Sequence, residues 1–501
     1  MSNLSNLDAT RIDHHDVVVV GGGVAGIAIA ELLARQTDLS IKLVEKASHL
    51  GTGASGRLEG WFHTGALYSA ADDGQTFINS VNALEDLLNL YSTQYRGRCN
   101  IGLEQRESGV QGPAFTAAEH GWFNDSPIYF IQPGHDSPEM QVSRLQNQQV
   151  LLEIERARVM SRLEAAFGNH HDWHRDGRTR APTLADIEAY SGDECSLRGG
   201  PDALRDLCTR YDESYGCSLS DYEFLRSLDV SVDTAAVLRD LTAGALAGGV
   251  DIETGVDIER VVLDQYGPVR VRSLLCRNAD GLRVHLKAQL FIFAVGAGFD
   301  EYLSQLNVRV RLKKSKSSMI AAWPALSDVN FARMSINHRH HFNHLVHRGA
   351  AADGREYSYS MLANSGFSDH ESELAEEVTS IDALLDSGER YFGADALYDR
   401  ELFGYSCVKT EFLSDDDEKR RYSYWIEVDP TSNYICILPG KFSFFPTVAY
   451  QTCLQVRALV PMTERTPADP VSPSPECMAR AATLVADHYP LRVLSAAQEV
   501  S

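Results

Sequence analysis

Several common sequence signals are missing from this chain, and each absence narrows the class of protein. The nine cysteines form no CxxC pair, which disfavours a zinc site or a disulfide framework and predicts reduced thiols in a cytoplasmic protein. No apolar run approaches the roughly 20 residues that a membrane-spanning helix needs. The N-terminal sequence is polar and lacks the apolar core of a signal peptide. We therefore expect a soluble protein without an integral membrane segment.

Positive charge is also scarce. The chain has 46 Lys and Arg residues against 69 Asp and Glu residues, a formal net charge of −23, and this balance disfavours nucleic acids and anionic lipid surfaces as partners. A Gly-x-Ser-x-Gly elbow is absent, which argues against a hydrolase. With 501 residues, 44% of them hydrophobic, the chain has enough apolar sequence for roughly two or three domains.

The clearest structural pattern lies in residues 16–46. A run of four valines at 17–20 predicts a strand buried on both faces, a glycine-rich turn follows, and apolar residues at helical spacing lead to a second strand at 41–44. This is the pattern of a βαβ unit. Gly21, Gly23 and Gly26 fit GxGxxG between the first strand and the helix, and Glu45 ends the next strand 19 residues further on. In that context the motif predicts a dinucleotide site with phosphates at the helix N-terminus.

Other segments are read from periodicity and glycine placement. The spacing predicts a helix over 234–247 followed by two short strands, a buried strand within 285–299, and a strand, loop and helix over 433–460. It also predicts a helix over 141–168, a solvated hairpin tip at 414–421, and a linker before one last short helix.

The N-terminal Rossmann unit, the following "GASGR" and the later segments together resemble the D-amino-acid oxidase superfamily of flavoproteins. The resemblance covers about residues 15–70, 229–300 and 433–460. It implies an α/β fold with a Rossmann-type FAD-binding domain assembled from separated segments and an inserted α+β substrate domain. The expected boundaries are 12–75, 226–312 and 429–461 for the FAD-binding domain, 76–225 and 313–428 for the substrate domain, and 462–501 for a C-terminal tail.

The resemblance also implies which residues hold FAD. Gly21, Gly23 and Gly26 bind the pyrophosphate, Glu45 holds the adenosine ribose, and Val256 meets adenine through its backbone. The other cofactor contacts that it implies are Val24, Ala25, Lys46, Ser55, Gly56, Arg57, Gly296, Gly298, Gly440 and Thr447. Leu58 departs from the family, which often has a polar residue there, so side-chain contacts at that position are in doubt.

Within the superfamily, "GRLEGWFHTGALYS" is most similar to the L-2-hydroxyglutarate dehydrogenase branch, with a related His-Gly element in glycerol-3-phosphate dehydrogenases. His63, Gly65 and Tyr68 match its His-x-Gly-x-x-Tyr pattern, and Pro446 and Thr447 match its closing segment. Glycines let backbone approach a flavin ring closely, and we expect Thr447 to cap the last helix and direct its positive end at the flavin.

Oxidation of an alcohol carbon needs a base for the hydroxyl proton, and histidine suits that role near neutral pH. His63 is therefore a candidate base or substrate contact. The alternatives are a hydrogen bond to flavin or backbone and, as a minor third, a covalent flavin link. An anionic substrate also needs a cation, and the candidates are Arg57, Lys316, Arg339 and Lys441, of which Lys441 is preferred.

The stretch 337–349 holds five histidines but no carboxylate or cysteine that would complete a metal site. His340 and His344 would share a face if the stretch were helical, yet its apolar residues fit a strand at least as well. The preferred interpretation is a strand with one face toward the substrate pocket and His344 as a second candidate base; no metal is predicted.

The sequence thus predicts an FAD-dependent oxidoreductase that oxidises a small carboxylate-bearing substrate, most simply a 2-hydroxy acid, by hydride transfer to flavin. An FAD-dependent amine or amino-acid oxidase is the alternative, and an FAD-binding scaffold without turnover is a third. The electron acceptor, whether oxygen, quinone or carrier protein, is not identified by the sequence.

Overall fold

The structure is a computed structural model that describes residues 11–68, 75–105, 111–119, 121–133, 201–214, 222–334, 340–350, 354–364, 368–369, 374–413, 423–465 and 473–493. The chain divides into two compact units. The first unit comprises Met1–Arg57, Thr234–Lys314 and Val408–Tyr489, and the second comprises Leu58–Asp233, Ser315–Cys407 and Pro490–Ser501.

The described strands are β1 (Arg11–Val20), β2 (Ile41–Glu45), β3 (Trp61–Phe62), β4 (Ile101–Gln105), β5 (Gln111–Phe115), β6 (Phe123–Pro133), β7 (Tyr222–Val232), β8 (Asp251–Thr254), β9 (Asp257–Leu263), β10 (Val271–Arg277), β11 (Arg283–Phe293), β12 (Arg311–Trp323), β13 (Asn330–Met334), β14 (His340–Ala350), β15 (Glu356–Ala363), β16 (Ser368–Asp369), β17 (Glu401–Leu413), β18 (Trp425–Val428) and β19 (Tyr434–Leu438). The described α-helices are α1 (Val24–Gln36), α2 (Gln75–Leu90), α3 (Asp202–Ser214), α4 (Thr234–Ala247), α5 (Asp300–Leu306), α6 (Leu374–Phe392), α7 (Ala394–Tyr398), α8 (Phe445–Leu459) and α9 (Pro475–Leu484).

The first unit is built on a sheet in the order β18-β19-β11-β1-β2-β8, with β10 and β9 attached beside β11. Strand β1 is central and pairs in parallel with both β11 and β2. Its four valines, residues 17–20, are buried because the strand has neighbours on both edges and helices over its faces. The predicted βαβ unit is confirmed as β1, α1 and β2.

Helices brought together from distant parts of the sequence cover this sheet. Helix α1 is rich in alanine and is buried along most of its length, and it packs against α4 and α8. Helix α9 packs in turn against α4. The predicted helix over 234–247 and the strand, loop and helix over 433–460 are therefore confirmed, and the predicted α/β class is confirmed with them.

The second unit contains a larger sheet in the order β16-β12-β15-β14-β13-β6-β7-β3, with β17 beside β12. Strands β14 and β15 pair antiparallel over Asn343↔Ala363 to Ala350↔Glu356. The histidine-rich stretch is thus a strand, and the helical alternative for His340 and His344 is wrong. Alternate residues of β14 such as Phe342 pack into an aromatic core with Phe331 and Tyr391.

Some predicted features lie outside the described residues: the helix over 141–168, the hairpin tip at 414–421 and most of the linker before α9. Among the helices that the structure describes, none combines the length and apolar character needed to cross a bilayer.

Candidate active site

The GxGxxG turn lies between β1 and α1 and leaves no room for side chains at two of its glycines. Gly21 has a φ of 111°, in the region that favours glycine, and a side chain there would strike the carbonyl of Ala294. A Cβ at Gly26 would overlap the carbonyl oxygen of Gly21. The first N–H groups of α1, at Val24, Ala25 and Gly26, have no carbonyl partner within the helix. Such a turn brings bare backbone and a partial positive charge to a phosphate group.

Glu45 and Ser55 hold this turn in place. One carboxylate oxygen of Glu45 accepts a 2.6 Å hydrogen bond from the Gly22 N–H, and the other accepts a 2.9 Å bond from the Ala47 N–H. Ser55 Oγ accepts a 3.0 Å bond from the Val24 N–H. The carboxylate predicted to hold a ribose therefore stands at the glycine turn, where backbone donors fix its orientation.

Arg57 supplies a cation two residues after Ser55, which bonds this turn. Its guanidinium carbon lies 3.9 Å from the ring centroid of Tyr489, a cation–π contact. Its Nε is buried and, among the residues that the structure describes, has no hydrogen-bond partner. A buried guanidinium N–H without an acceptor is costly unless a ligand completes it, so these residues fit an anionic dinucleotide such as FAD.

The remaining predicted cofactor residues have more varied surroundings, all within the first unit. The Val256 N–H donates to the Glu45 carbonyl at 2.9 Å, so a backbone contact to adenine would come from the Val256 carbonyl. Lys46 Nζ lies 3.6 Å from Asp257. Gly296 and Gly298 form a 3₁₀ turn directly after β11, Gly56 ends the 3₁₀ turn of the "GASGR" stretch, and Gly440 has a φ of 68° before Lys441.

The predicted capping role of Thr447 is wrong. Helix α8 begins at Phe445, two residues earlier, because a 3₁₀ turn over Phe442–Phe444 runs directly into it. Pro446 occupies the first turn, where its missing N–H removes no helical hydrogen bond. Thr447 is therefore the third helical residue and is buried. The short last helix predicted after the linker is confirmed as α9.

In the second unit, His63 follows β3 and lies among side chains that fix its ring. Its Nδ1 is 3.7 Å from Asp229 Oδ2, and its Nε2 is 3.4 Å from the Tyr68 hydroxyl. The Trp61 ring stacks on the imidazole at 5.1 Å and 28°, and the Tyr68 ring meets it edge-on. His63 is 8% exposed, so this is a mostly desolvated imidazole with a carboxylate on one nitrogen and a hydroxyl on the other.

His344, predicted as a second base, has a structural role instead. It is fully buried in β14, its Nδ1 lies 2.7 Å from the Val329 carbonyl oxygen, and its Nε2 lies 2.7 Å from Ser360 Oγ. Burial lowers the pKa of His344 to about 4, against the raising effect of the Val329 carbonyl. Because both ring nitrogens are bonded inside the sheet, His344 is unsuited to take a substrate proton.

The candidate cations for a substrate carboxylate are distributed over both units. Arg57 and Lys441 belong to the first unit and Lys316, on β12, to the second. Arg339 lies outside the described residues. Lys441 directly precedes the 3₁₀ turn of Phe442–Phe444, and its role as the carboxylate-binding residue stays a prediction.

Sequence reasoning missed the residues that contact His63 and Arg57. Asp229 lies in β7, a strand whose alternating pattern draws attention to its apolar residues, and an acid between Leu228 and Val230 was a usable signal. Trp61 precedes His63 by two positions, the spacing that places side chains on one face of an extended chain. Tyr489 lies near the end of the chain, and nothing local connects it with Arg57.

The family model described as FAD dependent oxidoreductase matches residues 16–422. The chain therefore belongs to this family, FAD is its cofactor, and it is an FAD-dependent oxidoreductase.

Curated relatives match a short part of the chain, and solved structures share its fold. An L-2-hydroxyglutarate dehydrogenase from Nematostella vectensis is 37% identical over 68 residues, 13% of this chain and 15% of that protein. One from Caenorhabditis briggsae is 39% identical over 62 residues, 12% and 14% of the two chains. The matches thus span about a seventh of these relatives' length. An FAD dependent oxidoreductase from Pseudomonas aeruginosa shares the fold at a TM-score of 0.55 with 14% identity, covering 97% of this chain and 99% of that one. An L-α-glycerophosphate oxidase from Mycoplasma pneumoniae with FAD bound shares the fold at a TM-score of 0.52 with 14% identity, covering 92% of this chain and 98% of that one.

Proposed function

We propose that this protein oxidises a small 2-hydroxy acid to the corresponding 2-oxo acid, with His63 as the base. The observation that carries the proposal is the setting of His63. Its Nδ1 lies 3.7 Å from the Asp229 carboxylate, and its Nε2, on the opposite edge of the ring, makes only a long 3.4 Å contact with the Tyr68 hydroxyl. The short matches to L-2-hydroxyglutarate dehydrogenases support the choice of substrate class.

The chemistry divides between cofactor and protein. FAD, when bound, supplies the acceptor for the hydride that leaves the alcohol carbon. His63 Nε2 takes the hydroxyl proton. The electron pair of the broken O–H bond then forms the second carbon–oxygen bond as the hydride leaves the carbon. The imidazolium that forms is stabilised by the carboxylate of Asp229. A lysine or arginine, with Lys441 preferred, binds the substrate carboxylate.

The residues of the first unit hold the cofactor in this proposal. The α1 N-terminus at Gly23 and Gly26 binds the pyrophosphate, and Arg57 completes its donor set. Glu45 binds the ribose hydroxyls. These assignments rest on the glycine turn, the fixed carboxylate and the buried guanidinium described above.

The test is anaerobic mixing of the FAD-loaded protein with L-2-hydroxyglutarate, other 2-hydroxy acids, glycerol 3-phosphate, amino acids and amines, following loss of the visible flavin absorbance. We expect bleaching by a 2-hydroxy acid and a loss of at least ~100-fold in its rate in His63→Asn, because a general base contributes about that much. The control is His14→Asn, which removes an exposed histidine of β1.

Other outcomes assign other functions. Bleaching only by amino acids or amines, at a rate that His63→Asn leaves unchanged, would identify an amine or amino-acid oxidase. An unbleached flavin with every compound would favour an FAD-binding scaffold.

A further inference from the structure

Asp229 is a fully buried carboxylate whose two oxygens are both engaged by neighbouring donors. Oδ1 accepts a 2.9 Å hydrogen bond from the Thr64 N–H and a 2.6 Å bond from the Thr64 hydroxyl. Oδ2 accepts a 2.8 Å bond from Trp61 Nε1 and lies 3.7 Å from His63 Nδ1. The carboxylate thus accepts hydrogen bonds from residues on both sides of His63 in the chain, namely from the Trp61 indole and from the Thr64 N–H and hydroxyl.

Folding alone does not require a charge at this position. Strands β3 and β7 already pair through Trp61↔Ser231 and Phe62↔Val230, and a buried charge costs desolvation that an apolar side chain of similar size avoids. The three hydrogen bonds keep the carboxylate in one orientation. In that orientation Oδ2 also faces the imidazole of His63, 3.7 Å from Nδ1.

We infer that Asp229 is the positioning residue of the reaction: it sets the tautomer and the ring plane of His63 and stabilises the proton that His63 receives. The inference rests on the proposed function. With the carboxylate at Nδ1, that nitrogen carries the proton in the resting enzyme, and Nε2 keeps a lone pair that the substrate hydroxyl takes in place of the long 3.4 Å contact with the Tyr68 hydroxyl. Asp229 also fixes the Trp61 indole, whose ring stacks on the imidazole. One carboxylate therefore restrains the imidazole directly at its Nδ1 edge and, through Trp61, on one face of its ring.

The first variant is Asp229→Asn, which keeps the shape of the side chain and removes its charge. We expect it to retain FAD and to reduce the flavin at least ~100-fold more slowly with the hydroxy acid found above. Loss of a neighbouring negative charge makes the imidazole less basic, so the acid limb of the rate–pH profile moves to lower pH by about one unit.

Thr64→Val is the matched control, because it removes one donor to the same buried carboxylate and leaves the charge beside His63. We expect its acid limb to move only slightly, and to higher pH, because the donor that it removes bonds Oδ1 and not Oδ2, the oxygen beside His63. Trp61→Phe provides a second test should Asp229→Asn fail to fold. It removes a donor to Oδ2 and retains a stacking ring, so the less neutralised carboxylate moves the acid limb to higher pH.

Two failures are distinguishable. If His63→Asn bleaches as fast as the wild type, the proposed function is wrong whatever Asp229 does. If His63→Asn is slow but the acid limb stays in place in Asp229→Asn, or in Trp61→Phe where the first variant does not fold, Asp229 is structural and only this inference is overturned.

Discussion

At the scale of single residues, this protein has glycine where backbone segments approach too closely for a side chain and carboxylates where a group is held in one orientation. Gly26 allows α1 to approach the end of β1, Gly21 allows the turn to approach the backbone at Ala294, and Glu45 anchors the turn. In the second unit Asp229 holds the segment that carries His63. Each feature depends on one or two atoms, so single substitutions are informative.

Gly26→Ala tests the close approach at the glycine turn. The added methyl group would overlap the Gly21 carbonyl, so the turn must shift. We expect FAD affinity to fall at least ~10-fold and the free energy of unfolding to fall by about 1–3 kcal/mol, the usual cost of overpacking. Both are measurable, by FAD titration of the apoprotein and by denaturant unfolding.

Gly53→Ala is the control for that substitution. Gly53 lies in the same part of the chain, its φ is −79°, and a Cβ there would meet nothing within 4 Å. Wild-type FAD affinity in Gly26→Ala would show that the turn has room that the structure does not indicate.

At the scale of elements, periodicity predicted the parts whose surroundings are uniform. Strand β1 has apolar neighbours on both sides, so its four valines were sufficient, and α4 and α8 were predicted for similar reasons. The start of α8 was not, because the 3₁₀ turn before it depends on packing of Phe442 and Phe444 rather than on a capping side chain. The role of His344 was missed because its partners come from elsewhere in the chain, Val329 from the segment just before β13 and Ser360 from β15.

An ion cluster that ties three strands together escaped sequence reasoning for the same reason. Lys42 of β2 has a buried side chain whose Nζ lies 3.2 Å from Asp13, 2.7 Å from Asp251 and 2.8 Å from Glu253, on β1 and β8. Burial acts to lower the pKa of Lys42, but hydrogen bonds to Asp251 and Glu253 outweigh it and raise the pKa. Burial likewise acts to raise the pKa of Asp13, and the bond and charge of Lys42 lower it.

Lys42→Met leaves these carboxylates beside each other without their cation. We expect the free energy of unfolding at neutral pH to fall by about 2 kcal/mol, below the value for a fully buried pair because the carboxylates are partly exposed. The lowered pKa of Asp13 contributes stability that is present above its ordinary pKa and is lost as pH falls through the folded value. The raised pKa of Lys42 contributes stability that persists at neutral pH and is lost only as pH rises above its ordinary range.

Denaturant unfolding of the variant and the wild type at several pH values measures this difference, which we expect to shrink toward acid pH. Arg283→Met is the control, since its ion pair with Glu259 at 3.1 Å is exposed to solvent and contributes little to stability. A difference between Lys42→Met and wild type that does not change between neutral and acid pH would contradict this account.

At the scale of the whole molecule, the first unit is assembled from three separate stretches of chain, and the predicted cofactor residues come from all of them. The glycine turn and Arg57 belong to the first stretch, Val256 and Gly296 to the second, and Gly440 and Tyr489 to the third. A ligand that binds only the folded arrangement stabilises every stretch that contacts it. The sequence could suggest this assembly only through resemblance, because no local pattern connects residues so far apart.

Hydrogen–deuterium exchange with and without FAD tests that assembly directly. We expect FAD to slow exchange at the turn 21–26, at 54–57, at 294–298 and at 440–447 together, since amides that bind phosphate or lie beneath the cofactor open less often. The exposed hairpin of β9 and β10 around Tyr266, also in the first unit, serves as the internal control and should exchange at the same rate in both states. Protection confined to 21–57 would show that the first stretch binds the cofactor without the other two, and the assembly inferred for the unit would then be wrong.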